Sequence, residues 1–349
     1  MRKGKKLLAL SMVVMAMLSG CGGGNTEKKG ESAEQSSSFV AGMVCDTGGV
    51  NDQSFNQSSW EGLQAFEKEE GAKVSYLESS QASDYATNFD KFTDQDDINL
   101  IWGIGFNVAE PLQKAAEMNP DKTFAIVDFD YGDKIPENVA CTTFNVQDSA
   151  FLVGYIAGLT TETNKVGYIG GMKSPTMDLF EYGYCGGVAY AAKELGKKIE
   201  VDVQFAESFT DAAKGKAMAK QMYGSGCDIL FHAAGGVGVG AIEEAAEEGK
   251  WMIGVDRDQS YLAPENILTS ALKITGVAVK EVSKLAKDGE KIGGRSFAYG
   301  LAEGAVGIPE ENPNLSEETY KKAMEVQKKI ESKEIVPPAT EDEYKSFIQ

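Results

Sequence analysis

Arginine is nearly missing from this chain: among 349 residues only Arg2, Arg257 and Arg295 carry a guanidinium. Its planar fork is the usual means of gripping a phosphate or carboxylate from two sides, so nucleotides, amino acids and carboxylate-held peptides are unexpected ligands. Histidine is scarcer still. His232 stands alone, which leaves almost no material for a histidine metal site or a Ser-His-Asp triad. A lone histidine after an apolar strand reads as a packed strand-end residue. No Walker lysine follows a glycine-rich loop, so an ATPase site is out. Basic residues are outnumbered 34 to 53 by acidic ones, a net charge of -19, and such a body repels nucleic acid. No cofactor and no metal are expected.

Long apolar runs are lacking too, with one short exception at the start. Arg2, Lys3, Lys5 and Lys6 precede an apolar stretch over 7–18 that is too short for a comfortable span and reads as a targeting signal. It closes on Leu18-Ser19-Gly20-Cys21, which resembles the bacterial lipobox, where cleavage precedes the Cys and the thiol carries a diacylglyceryl group. An ordinary signal peptide or a short anchor helix is the alternative. The expectation is a signal peptide over 1–20, a lipidated Cys21, and attachment to the extracytoplasmic face of the cell membrane by lipid alone. Residues 21–38, rich in Gly, Ser, Glu and Lys, read as a flexible tether. Losing four basic residues and no acid with the signal takes the net charge from -19 to -23. Cys45, Cys141, Cys185 and Cys227 are far apart, beside apolar segments and without a Cys-x-x-Cys pair, so buried free thiols are expected.

What is present is a regular alternation. A strand over 39–45 ends at Asp46 and a Gly pair, and Trp60, Leu63 and Phe66 place a helix over 58–66. Strands over 73–77, 99–103, 123–127 and 139–143 alternate with helices over 84–95, 108–118 and 149–161. The pattern then restarts. Strands over 165–169, 199–205, 228–233, 251–255 and 267–272 alternate with helices over 177–195, 212–223, 238–248 and 276–287. A late strand over 296–301 and a charged surface helix over 316–330 follow. Repeated βα units mean parallel sheets covered on both faces, here as two doubly wound lobes. The expected division is 39–147 plus about 274–310 for one lobe and 148–273 plus about 311–349 for the other.

Ligands of such sheets sit beyond the carboxyl ends of the strands. Those ends carry Asp46, Asp128, the Gly170 loop, Phe209, Gly235 and Gly236, Asp256 and Lys273. Paired carboxylates fit general acid-base chemistry, as in glycosidases, or helix caps, or acceptance of hydroxyl and ring N–H hydrogen bonds. With aromatics nearby, the last is favoured. Phe55, Phe180 and Phe209 are candidates for stacking on a flat ligand. Phe55 stands out because it lies in a polar run, beside Asn51 and Asn56, where no helical face buries it. Gly236-Val237-Gly238-Val239-Gly240-Ala241 has the spacing of a dinucleotide fingerprint, with Asp256 further on; tight strand–helix packing explains the glycines better.

Asp46-Thr47-Gly48-Gly49-Val50-Asn51-Asp52-Gln53-Ser54-Phe55-Asn56-Gln57, with Trp60-Glu61-Gly62, closely resembles the signature of the basic membrane protein family of bacterial lipoproteins. Gly170-Gly171-Met172, Phe180-Glu181-x-Gly183-Tyr184, Ser208-Phe209-x-Asp211, Ala233-Ala234-Gly235-Gly236-x-Gly238, Gly254-Val255-Asp256-x-Asp258-Gln259 and Thr269-Ser270-x-x-Lys273 extend the resemblance over 39–301. Tyr184 replaces a Phe common in that family. The resemblance implies a type I periplasmic-binding-protein fold, two Rossmann-like lobes joined by three crossings, that captures purine nucleosides for an ABC transporter permease. It implies no enzymatic activity and a monomer. It also implies that Phe55 and a second aromatic, Phe180 or Phe209, sandwich the base, that Asp128 touches base or ribose, and that Asp256 holds ribose hydroxyls. Asp46, Asn56, Gly236 and Lys273 would complete the pocket. A sugar binder, a regulatory lipoprotein and a nucleoside hydrolase are the rivals.

Overall fold

β1 (Val40–Val44) is buried from its second residue onward, as a strand is when helices cover both faces of its sheet. The computed structural model describes residues 38–349; the expected signal peptide, Cys21 and nearly all of the tether lie outside the described residues. After β1 come α1 (Phe55–Glu70), β2 (Lys73–Leu77), α2 (Asp84–Thr93), β3 (Leu100–Ile104), α3 (Ala109–Met118), β4 (Phe124–Val127) and β5 (Val139–Phe144). The second round runs α4 (Val146–Thr160), β6 (Lys165–Gly170), α5 (Pro175–Leu195), β7 (Glu200–Phe205), α6 (Ala212–Gly224), β8 (Ile229–Ala233), α7 (Gly236–Glu248), β9 (Trp251–Asp256) and β10 (Ile267–Lys273). α8 (Thr275–Lys287), β11 (Arg295–Tyr299), β12 (Val306–Gly307), α9 (Glu317–Glu331) and α10 (Glu341–Phe347) complete it.

The strands form two six-stranded sheets, ordered β11-β5-β4-β3-β1-β2 and β12-β10-β9-β8-β6-β7. The two orders are the same, position for position. All pairings are parallel except that of β12 with β10. The chain passes between sheets after β5, after β10 and after β11, three crossings in all. This is the expected doubly wound α/β architecture. One core lies beneath α2 and α3 around Phe89, Leu112 and Ile126, and another beneath α6 and α7 around Met222, Leu230 and Val237. A third runs from Trp102 and Phe66 through α4 to Phe231, Val326 and Ile330.

Three local expectations need correction. α1 begins at Phe55, not at residue 58, because Asp52 caps it: its carboxylate accepts N–H bonds from Ser54, Asn56 and Gln57 at 2.8–3.1 Å. α5 begins at Pro175, a residue that suits a first helical turn, with Ser174 accepting from Met177 N–H. β12, which falls in the range expected for the first lobe, hydrogen-bonds in the second sheet. A two-residue strand has no periodicity of its own to read.

Candidate functional site

The carboxyl ends of the two sheets face each other around a cavity whose empty space, counting the part open to solvent, is about 610 Å³. Asp46, Phe55, Asn56, Asp128, Phe180, Phe209, Gly236, Asp256 and Lys273, the nine residues singled out in the sequence, all line it.

Asp46 leaves β1 into a loop that locks it in place. Its carboxylate accepts from Gly48 N–H at 2.9 Å and from the Asn56 amide at 2.8 Å. Asn56 gives its other amide hydrogen to Asp52 at 2.9 Å, while its carbonyl accepts from Asp46 N–H at 3.2 Å. Its polar atoms are therefore engaged within the loop, and it positions Asp46 rather than offering a free donor. Burial raises the Asp46 carboxyl above its ordinary pKa, against the lowering effect of Asn56 and Gly48.

Asp128 and Asp256 occupy equivalent positions, at the ends of β4 and β9. Both are in the left-handed backbone region, with φ of 64° and 65°. Non-glycine residues held there collect at functional sites, because the surroundings must over-determine the strained conformation. Lys273, buried at the end of β10, pairs with the Asp128 carboxylate. Its ammonium also stands 4.6 Å from the Phe55 ring centre, 5.5 Å from Phe144 and 5.9 Å from Phe180. Asp256 accepts a hydrogen bond from the Ser54 hydroxyl across the cleft. Burial pushes its carboxyl up to about 6, with Lys273 and then Ser54 pulling the other way.

Aromatic rings reach the cavity from both lobes. Phe180 is almost wholly buried and leans on Phe231. Phe209 is half-buried, edge-on to Phe106 at 6.2 Å. The Phe209 ring lies close against Gly171, where any Cβ would stand 2.0 Å from it, and the Phe209 carbonyl accepts from Gly236 N–H at 2.8 Å. Phe106 and Asp52 line the cavity without having been singled out. Phe106 was findable: Gly105-Phe106 follows β3, and the same strand-end rule selects it. Asp52 carries no such sign.

The other sequence features fall away from the cavity. A Cβ at Gly238 would lie 1.9 Å from the His232 ring and one at Gly240 1.9 Å from Ala212 O, so these glycines serve helix packing and not a dinucleotide. His232 is fully buried and bonded to Gln259 at 3.0 Å, and burial lowers it to about 4. Tyr184 packs on Phe231 at 5.2 Å, behind the pocket. The four cysteines of the described residues are free and buried. No group of His, Cys, Asp and Glu among the described residues is arranged to hold a metal, and no helix among them is long and apolar enough to cross a membrane.

Residues 39–341 match the sequence profile of a family described as ABC transporter substrate-binding protein PnrA-like. A CD4+ T-cell-stimulating antigen of Listeria monocytogenes is 40% identical, with 97% of this chain and 99% of that protein aligned. An ABC transporter nucleoside-binding protein, BmpA, of Lactococcus lactis is 40% identical over 88% of this chain and 92% of its own length. A crystal structure of an ABC transporter system solute-binding protein from Aeropyrum pernix K1 superimposes with a TM-score of 0.78, covering 88% of this chain and 96% of that one at 28% identity.

Proposed function

This chain belongs to the PnrA-like ABC transporter substrate-binding family, and from that premise we propose that it captures purine nucleosides outside the cell membrane and delivers them to an ABC permease. The observation that carries the reading is one cavity lined by aromatic rings from both lobes and by the buried carboxylates of Asp46 and Asp256. Rings suit a flat base. Ionised carboxylates accept hydroxyl and ring N–H hydrogen bonds and repel a phosphate, so a nucleoside fits where its monophosphate does not.

In this reading Phe55 covers one face of the base. Phe209 takes the other, since it keeps an accessible face where Phe180 is spent as the cavity floor. Asp256 and Asp128 hold ribose and base polar atoms, with Lys273 neutralising Asp128. A stacked base is worth about 1–3 kcal/mol. The carboxylates act as acceptors and not as catalysts, in keeping with a family of substrate-binding proteins. Cys21 carries the lipid that holds the chain at the membrane, and the protein works as a monomer without nucleic acid.

Calorimetric titration of residues 38–349, which close as one compact unit, tests the proposal. Guanosine and inosine bind tightly, while ribose and guanosine monophosphate bind far more weakly. No heat with any nucleoside, from protein shown to be ligand-free, refutes it.

A further inference from the structure

We infer that Gln259 is the positioning residue that fastens the two lobes around the cavity, by handing one hydrogen bond from the loop after β9 to the backbone of Gln53 in the facing lobe. The inference rests on the reading of the molecule as a binding protein that closes on its ligand.

Gln259 is fully buried, and its polar atoms are committed. Its Oε1 accepts from Val255 N–H at 2.9 Å. A backbone N–H only donates, so this contact fixes which way round the amide lies: oxygen toward its own lobe, nitrogen toward the other. Nε2 donates to the Gln53 carbonyl at 3.1 Å. The His232 ring nitrogen, 3.0 Å from the same Oε1, must therefore be the protonated one, while its other nitrogen is buried without a partner. Gln259 N–H donates to Ser270 at 3.2 Å. The contacts with Val255 and His232, within the second lobe, aim the amide, the Ser270 bond holds the Gln259 backbone, and the fourth bond crosses the cleft.

The receiving residue is prepared for this. Gln53 has φ of 59°, the left-handed region that a side chain seldom occupies, and its side-chain oxygen accepts from the Tyr261 hydroxyl at 2.5 Å. Gln53 is thus gripped at backbone and side chain by two residues of one loop. Beside it, Ser54 donates to Asp256. The loop that presents Asp256 to the cavity therefore closes directly on the loop that presents Phe55, and the bond to Val255 N–H holds the backbone just before Asp256. The Arg257–Glu61 pair at 3.2 Å lies at the exposed rim and adds little. When the lobes part, the Gln259 amide and the Gln53 carbonyl lose each other, so the bond favours the closed state over the open one, with ligand or without it, and acts on ligand release.

Gln259→Glu is the discriminating variant. It keeps an oxygen facing Val255 and His232 but turns a second oxygen toward the Gln53 carbonyl, replacing attraction by repulsion. By stopped flow with inosine, the dissociation rate rises about tenfold or more, while the association rate stays within about threefold. Tyr261→Phe, at an exposed ring that the fold does not need, raises dissociation about threefold. A purely structural role lowers the fraction of active protein and leaves the dissociation rate of the rest unchanged. Dissociation within twofold of the parent in Gln259→Glu, or in Tyr261→Phe alone if the first variant fails to fold, overturns the inference. A parent that binds no nucleoside refutes the proposed function instead. Hydrogen exchange without ligand then decides: faster exchange of 50–56 in Gln259→Glu supports the clasp, and equal exchange overturns it.

Discussion

Asp256 ties the pocket to pH. Folding raises its carboxyl from an ordinary 3.8 to about 6, so the folded chain binds its proton more tightly than the unfolded chain does. The ionised form is then a cost to stability, full above about 6 and gone below 3.8. His232, lowered from 6.5 to about 4, acts in the opposite sense, because stability is lost as pH falls through that window. The comparison that isolates Asp256 is therefore with Asp256→Asn. This variant melts above the parent at pH 7.5, and the difference vanishes by pH 4 in calorimetric scans. Binding shows the other side of the same group. The ionised carboxylate is the acceptor, so parent affinity for guanosine falls between pH 7 and pH 5. Asp256→Ala and Phe55→Ala each abolish useful binding without unfolding the protein, the second by loss of a stacking contact worth about 1–3 kcal/mol. Titration of both variants within threefold of the parent sinks these assignments.

At the scale of elements, the contact between α4 and α5 is made by backbone. A Cβ on Gly187 would stand 2.0 Å from Phe151 O and 2.7 Å from Tyr155 N, neither of which can turn aside. Gly187→Ala therefore drives the helices apart and costs about 1–3 kcal/mol in urea unfolding. α4 is buried over most of its length, so it has little room to move away from the added methyl group. Sequence alone made these two helices visible. Only packing explains why α5 carries Gly183 and Gly187, which face α4, and Gly186, which faces Pro338, although glycine weakens a helix by intrinsic propensity.

At the scale of the whole molecule, two sheets with the same strand order are joined by three crossings, after β5, β10 and β11, around one cleft; in the proposed function the cleft opens and closes about those linkers. In the proposed function, lipid attachment at Cys21 holds that cleft near a permease while the net charge of -23 left after loss of the signal keeps the body in solution. Cys21→Ser releases the chain from the membrane fraction and abolishes labelling by radioactive fatty acid, with nucleoside affinity unchanged; continued labelling excludes Cys21 as the anchor.

The alternation of apolar strands and amphipathic helices determined the fold class, since a parallel strand buried on both faces has no polar period and needs a covering helix after it. The rule that ligands sit at strand ends then picked Asp46, Asp128, Asp256 and Lys273 from the linear chain. Their gathering into one cavity follows from where the three crossings place the second sheet. Tertiary structure decided the rest, because the deciding contacts join residues about 200 positions apart. The early start of α1 depends on how Asp52 folds back over its helix end. The pairing of Lys273 with Asp128 depends on two lobes meeting. The half-exposure of Phe209, seated against Gly171, and the burial of Phe180 against Phe231 depend on packing between elements distant in sequence. Gln259 is an unremarkable amide in the sequence; its meaning lies in the carbonyl it faces across the cleft.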